Sequence, residues 1–513
     1  MTFIRAIIIF AACILLQTEF LSAQKQRKIE IVNAETLEFD EKIGNRARRL
    51  IGNVVFKHEG AMMYCDSAYF YTEINTVDAY NNVRIDQGDS LSLEGEVLRY
   101  EGNTKMAMVR NNVVLRHFNS YLETDSIDFD RNINMGYYYS GGNIYDDDNH
   151  LFSKRGYYYA DDKDYYAVDN VVLTNPDYVI YCDTLRYNTD THIAYFYGPT
   201  TIISDSNFIY CENGYYNTEL NLASFSENAY LISQQTILKG DSLFYNRNNR
   251  MGQAFKHVSI TDTIENVTAY GHYGWYYEDP QKAMLTDSVL VEYVNEGDTL
   301  FMHSDTIYID IDSADHKLIR AFGMVQVYRY DLQARCDSLV YCSADSVVEM
   351  FGSPVLWAEE NQLTGEKMEL HFADGKANYA EITGYAFIVQ PEDSLNYNQI
   401  QGRRLIAYIN NNDVYRVDIF NDSQTLYFIR DESSEEITGV NKTLCTNMVV
   451  YRNEKKIEKI VFYEKPDGII IPIEQLTEAD AFLKDFRCLE QYRPKSKDDI
   501  FIWIPISTKT TEK

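Results

Sequence analysis

The sequence predicts an all-β fold: an elongated, V-shaped trough of two sheets, built from about fourteen units of ~30 residues with a small C-terminal helical cap. Three observations predict it. A six-residue signature returns along almost the whole chain, a second landmark follows each copy at a steady distance, and apolar parity switches inside the signature.

The signature has the form small–Asp–Ser/Thr–Leu–x–Tyr. It reads CDSAYF from Cys65, GEVLRY from Gly95, TDSIDF from Thr124, CDTLRY from Cys182, GDSLFY from Gly240, SDTIYI from Ser304, CDSLVY from Cys336 and GEKMEL from Gly365. Weaker copies start at Ala34, Lys154, Cys211, Gly271, Gly402 and Thr446, and the spacing is mostly 28 to 33 residues. The second landmark comes sixteen to twenty residues later, as NVRI at Asn82, NVVL at Asn112 and Asn170, NIYD at Asn143 and NAYL at Asn228. A period in this range marks stacked supersecondary units, none of which buries its apolar face alone. Function then belongs to an extended surface or groove rather than a compact catalytic centre.

Strand formers dominate from Ile29 to about Ile471, in a chain with 43 Tyr and only 9 Pro. Turn residues punctuate them at Glu101-Gly-Asn103, Asp130-Arg-Asn132 and Asn188-Thr-Asp190. Within a unit, the apolar residue before the signature (Leu93, Leu122, Ile180) shares parity with the small slot two places on. Beyond Asp-Ser/Thr, apolar residues return at the fourth and sixth places with the opposite parity, as in Leu98 and Tyr100. A straight strand cannot put both sets on one face. A bulge or corner at Asp-Ser/Thr restores a common inward face and bends every strand, which makes two sheets meeting in a jelly-roll-like trough. The carboxylate or hydroxyl there would satisfy backbone donors freed by the bulge. The inward positions are then Leu98, Tyr100, Val113, Leu115, Ile127, Phe129, Val171, Leu173, Leu185, Tyr187, Leu243, Tyr245, Val258, Ile260, Leu339 and Tyr341. An open trough and a closed sandwich core share this alternation.

Three regions follow. Residues 1–23 read as a cleaved signal peptide, with Arg5, an apolar run from Ala6 to Leu16 and a small-residue site ending at Ala23. Residues 29–466 are the repeat array. Residues 467–513 depart from it: Thr477 and Asp480 resemble a helix-start pair, Leu476, Ala479, Phe482, Leu483, Phe486 and Leu489 follow helical spacing, and Phe501-Ile-Trp-Ile504 reads as one more strand. This element would cap the terminal edge.

The formal charge of −30 excludes nucleic acid as a partner, because nothing neutralises phosphates. No other stretch is apolar enough for a transmembrane helix. Cys65, Cys182, Cys211 and Cys336 share the small slot with Gly, Ser and Thr, which reads as buried thiols rather than a disulfide ladder. No metal-ligand spacing, nucleophile elbow or phosphate loop is present, so the sequence assigns no cofactor, no metal and no catalytic residue.

A signal peptide followed by GNVVF from Gly52, NNVRI, NNVVL and the intervening signature strands resembles the OstA/Lpt β-jelly-roll family of periplasmic lipopolysaccharide-transport proteins. That family takes in LptA, the periplasmic part of LptC and the amino-terminal domain of LptD. The resemblance spans roughly Ile29 to Pro466. It implies that lipid A acyl chains lie against the inward residues named above, and that the chain passes lipopolysaccharide toward the outer membrane. It also implies pairing through edge strands with other jelly-roll proteins of the pathway, in the periplasm, with outer-membrane association left open. The competing reading is a structural or adhesive β-solenoid at the cell surface with a filled core. An outer-membrane barrel is disfavoured by the charge and by a mean hydropathy of −0.36.

Overall fold

The computed structural model describes residues 28–39, 47–295, 298–373, 376–410, 413–431, 434, 436–453 and 456–506. The expected signal peptide, residues 1–23, lies outside them. Contacts divide the chain into two units, Met1–Asp205 with Asn217–Glu219, and Ser206–Tyr216 with Leu220–Lys513.

In the first unit the strands Ala47–His58, Ala61–Tyr71, Thr76–Gln87, Leu91–Glu101, Met106–His117 and Ser120–Asp130 are each 11 or 12 residues long, and sequence neighbours pair antiparallel. Four short strands follow, Met135–Tyr138, Gly142–Asp146, Asn149–Ser153 and Arg155–Tyr159, before long strands resume at Asp164–Asn175 and Tyr178–Asn188. The alternation predicted from sequence is the alternation observed. Leu93, Leu98 and Tyr100 are buried on one strand, while Arg99 between the last two is exposed.

Parity does switch at the signature, since Cys65 and Ala68 are both buried around an exposed Asp66. The extra residue of the bulge, however, sits on the neighbouring strand. Ile51 pairs with Ser67 and Val54 with Cys65, so Gly52 and Asn53 stand opposite Asp66 alone. Both have left-handed backbones, with φ of 79° and 46°. The same doublet recurs at Asn81–Asn82, Asn111–Asn112 and Asp169–Asn170. Asn and Gly enter this region at low cost, whereas the β-branched Thr of a signature does not. At Asn82, Asn112, Asn170 and Asn228 the second landmark is therefore the corner, and its asparagine is there for its backbone; before NIYD the left-handed residue is Gly141 instead.

Nor does the signature carboxylate cap backbone donors as expected. It accepts the asparagine side chain of the next corner: Asn82 Nδ2 to Asp66 at 2.8 Å, and Asn112 Nδ2 to Glu96 at 2.7 Å. Where glycine opens the doublet, the carboxylate side chain fills the space a Cβ would take. A Cβ on Gly384 (φ 74°) would come within 2.5 Å of Glu366.

Bent in this way, each long strand enters two sheets, while a short strand lies in one of them. The leading sheet holds the halves that precede the corner in signature strands, such as Leu91–Gly95. The trailing sheet holds the halves that follow it, such as Val97–Glu101. The second unit repeats the scheme with longer strands, reaching 18 residues at Asp413–Arg430, and with corner doublets at Lys256–His257, Asp287–Ser288 and Asn421–Asp422.

The C-terminal expectation is corrected. After the strand Asp467–Pro472, residues 473–506 form short 3-10 and other turns, with no α-helix and no further strand among the described residues. The helix-start pair makes one isolated turn, in which Thr477 Oγ1 bonds Asp480 at 2.6 Å. Phe501 ends a 3-10 turn, Asp499–Phe501, and residues 502–504 are irregular. The apolar spacing that imitates a helix serves instead to anchor an irregular segment against a sheet, with Leu476, Leu483 and Phe486 in one cluster and Leu489 in another.

Candidate functional site

The inward residues of the first unit converge between its two sheets. Leu98, Val109 and Ile127 form one cross-strand row of the trailing sheet, and Tyr100, Ala107 and Phe129 the next. Val113 and Leu115 oppose them from the leading sheet, on Met106–His117. Further along, Leu185 and Tyr187 lie on the trailing half of Tyr178–Asn188, and Val171 and Leu173 on the leading half of Asp164–Asn175. All twelve of these residues are at most 3% exposed. In the second unit Leu243, Tyr245, Val258 and Leu339 are buried, while Ile260 and Tyr341 are half-buried.

Far from the corners, the strand ends of the two sheets are joined by polar contacts that sequence reading missed. His58 ends a leading-sheet strand, and its Nδ1 bonds the hydroxyl of Tyr100 on the trailing sheet at 2.7 Å. Arg131 adds a second contact, donating from Nη1 to the same hydroxyl at 2.8 Å and from Nε to Gln87 at 2.8 Å. His117 bonds Tyr158, and Tyr187 donates to Asp146 at 2.8 Å. In the second unit Asn207 Nδ2 donates to Tyr245 at 3.2 Å and to Glu278 at 2.8 Å, and Tyr245 donates to Glu278 at 3.2 Å. In each unit, then, the mouth of the trough is laced by tyrosines: Tyr100, Tyr187 and Tyr245 from the last signature position, and Tyr158 from the fifth.

A signal for this lacing was present. His58, Gln87 and His117 all stand five residues after a corner asparagine, in NVVFKH, NVRIDQ and NVVLRH. A search for metal spacing passes over it.

The rim is polar but mostly uncharged. Burial raises the Tyr100 and Tyr187 hydroxyls above the usual phenol range, so both remain donors at physiological pH. Burial also raises the Asp146 carboxyl, against the opposing effect of the Tyr187 bond. It lowers His117, and Lys163 adds to that, which keeps the imidazole neutral. At the corners, burial pushes the Cys65, Cys211 and Cys336 thiols up to about 12. Within each unit the arrangement offers an apolar interior reached through a seam of hydrogen bonds. Among the described residues no helix is long and apolar enough to cross a membrane.

The family described as "OstA-like protein" matches this chain over residues 26–183 and 168–241. The solved structures include a match to LptH of Pseudomonas aeruginosa, described as the LptA homologous periplasmic component of the conserved lipopolysaccharide transport device. That match has 14% identity and a TM-score of 0.22, and it covers 28% of this chain and 95% of the other. No curated protein matches the chain.

Proposed function

We propose that this chain, which matches the OstA-like family over residues 26–183 and 168–241, is a periplasmic lipopolysaccharide-transport bridge that holds lipid A acyl chains between its sheets and passes them toward the outer membrane. The inward residues from Leu98 to Tyr341 named above are its lipid-facing surface. One observation supports this reading most: the two sheets meet at the mouth through a seam of hydrogen bonds made by side chains.

Magnitudes favour opening by lipid. A typical hydrogen bond contributes roughly 0.5–1.5 kcal/mol net, whereas each buried CH₂ is stabilised by about 0.8 kcal/mol. An acyl chain therefore outweighs the few seam bonds it parts. Contact without directional groups also lets a chain slide between equivalent units instead of settling in one deep well. Sugars would project through the parted mouth, and edge strands would pair with other jelly-roll proteins of the pathway.

A second reading, the structural or adhesive solenoid with a closed core, is favoured by the near-zero exposure of the first unit's interior. Extraction of the full-length chain from lipopolysaccharide-producing cells, followed by mass spectrometry of bound lipid, separates the two. The transport reading expects lipid A species in the purified protein. Their absence, with phospholipid also absent, gives the structural reading the lead.

A further inference from the structure

In the second unit the outward face of the leading sheet is covered by the chain's own last described residues. One cross-strand row runs Leu426, Gln399, Val389, Gln362, Trp357, Gln333, each the register partner of the next. Cross-strand partners share a face. This face is the outer one, because Leu363 and Ala334, the next residues along their strands, hold the inward parity. Consecutive buried residues such as Gln362–Leu363 and Gln333–Ala334 require cover on both sides of the sheet.

The cover is the segment Leu476–Ile506. Leu483 packs with Val389, Leu426 and Phe428, and Leu489 packs with Trp357 and Val355. Between these anchors the main chain is read by carboxamides. Gln399 Nε2 donates to the carbonyl of Ala481 at 2.9 Å and its Oε1 accepts from Leu483 N at 2.7 Å. Gln362 repeats the clamp six residues on, with Arg487 O at 2.8 Å and Leu489 N at 2.6 Å. Gln326 Nε2 then donates to the carbonyls of Ile500 at 2.8 Å and Ile502 at 3.0 Å.

A buried carboxamide is costly unless its donors and acceptor are paired, and an apolar side chain would serve a plain core better. Here Gln399 is 0% and Gln362 5% exposed, each paired to backbone groups two residues apart. Such pairing recognises a polypeptide main chain, while the seats of Leu483, Phe486, Leu489 and Trp503 read its sequence. The link into the segment, Ile473–Gln475, is exposed and buries no side chain. Nothing packed within it fixes which copy of the chain supplies the segment.

We propose that this outer face is a polypeptide-binding groove, with Leu476–Ile506 as its intramolecular ligand and the same segment of a second copy as its ligand in trans. The covalent link raises the local concentration of the segment, so the intramolecular form prevails in dilute solution. The groove is independent of the lipid-facing interior, which lies on the other side of the same sheet.

The test uses the full-length chain with a protease site inserted after Glu474 and a fluorescent synthetic peptide of residues 476–506. After cutting, the freed segment should stay with the body through gel filtration and then exchange with the labelled peptide, whereas uncut protein should take up none. The Gln362→Leu/Gln399→Leu double variant keeps apolar cover while losing the carboxamides, and should release the cut segment at least tenfold faster with an unchanged far-UV spectrum. Loss of the segment on cutting while the body stays folded would overturn the proposal. So would a cut segment that never exchanges, or release that the double variant does not alter.

Discussion

Asn112 donates its side-chain amide to Glu96 at 2.7 Å, and the sixteen residues between them are the interval from the signature carboxylate to the next corner asparagine. Asp66 with Asn82 and Glu212 with Asn228 keep the same interval at 2.8 and 2.9 Å. At Asp241 the donor is the imidazole of His257, at 3.0 Å. At these four corners the two sequence landmarks are thus the two halves of one latch, which holds the strand where it passes from one sheet to the other.

The latch predicts an order of effects at Asn112, whose φ is 48°. Asn112→Gly keeps the left-handed backbone and loses the exposed bond, so it should cost only about 0.5–1 kcal/mol. Asn112→Ala adds backbone strain and should cost about 1–2 kcal/mol. Hydrogen exchange of Leu91–Glu101 and Met106–His117 reads the difference. Equal effects would mean that the latch, and not the backbone, dominates.

At the mouth, Tyr187→Phe removes the donor to Asp146, whose carboxylate lies 3.7 Å from His192 Nδ1. A buried acceptor left without its donor costs about 1–3 kcal/mol. The loss should appear as faster exchange in Gly142–Asp146 and Tyr178–Asn188. Asp146 already has a raised folded-state pKa, so its contribution is favourable below the unfolded value and is lost as pH rises through the folded one. The defect should therefore be largest at neutral pH, and Asp146→Asn should relieve it there.

His117 has the opposite sign. Its folded pKa lies below the ordinary 6.5, so its stabilising contribution is complete above that value and declines as pH falls through the folded one. Amide exchange in Met106–His117 and Arg155–Tyr159, corrected for intrinsic rates, should quicken between pH 7.5 and 5. His117→Gln should flatten the profile. A variant that keeps the wild-type pH dependence assigns the titration to another group.

Burial makes the corner thiols inert. Cys65, Cys211 and Cys336 should resist maleimide in the folded chain and label on unfolding, while the half-exposed Cys342 labels readily. Cys211→Leu should overpack its slot and cost about 1–3 kcal/mol. Peptide mapping after pulse labelling checks the first expectation and thermal unfolding the second.

Much of the array was legible because its physics is periodic. The parity switch between Cys65 and Ala68 follows from alternation alone, and so do the inward positions from Leu98 to Tyr187. The location of the extra residue was not legible. Asp-Ser and Asn-Asn are both plausible turn residues, and only register separates the strand that bulges from the strand opposite it. The segment after Pro472 misled for a different reason: Leu476, Leu483, Phe486 and Leu489 have helical spacing because a sheet face takes anchors at intervals close to those of a helix. The glutamines that hold it were invisible, since Gln362 and Gln399 at outward strand positions look like an ordinary solvated face until something is found lying on them.

The lipid-facing interior is tested most directly by photocrosslinking in living cells, with benzophenone side chains placed at Leu185 and Leu243. The control is Arg186, whose guanidinium lies outside the sheet between Tyr166 and Tyr195 at 5.7 and 5.4 Å. The account predicts a lipopolysaccharide adduct at both inward positions and none at Arg186. Efficient crosslinking confined to protein, with no lipid at either inward site, would contradict it.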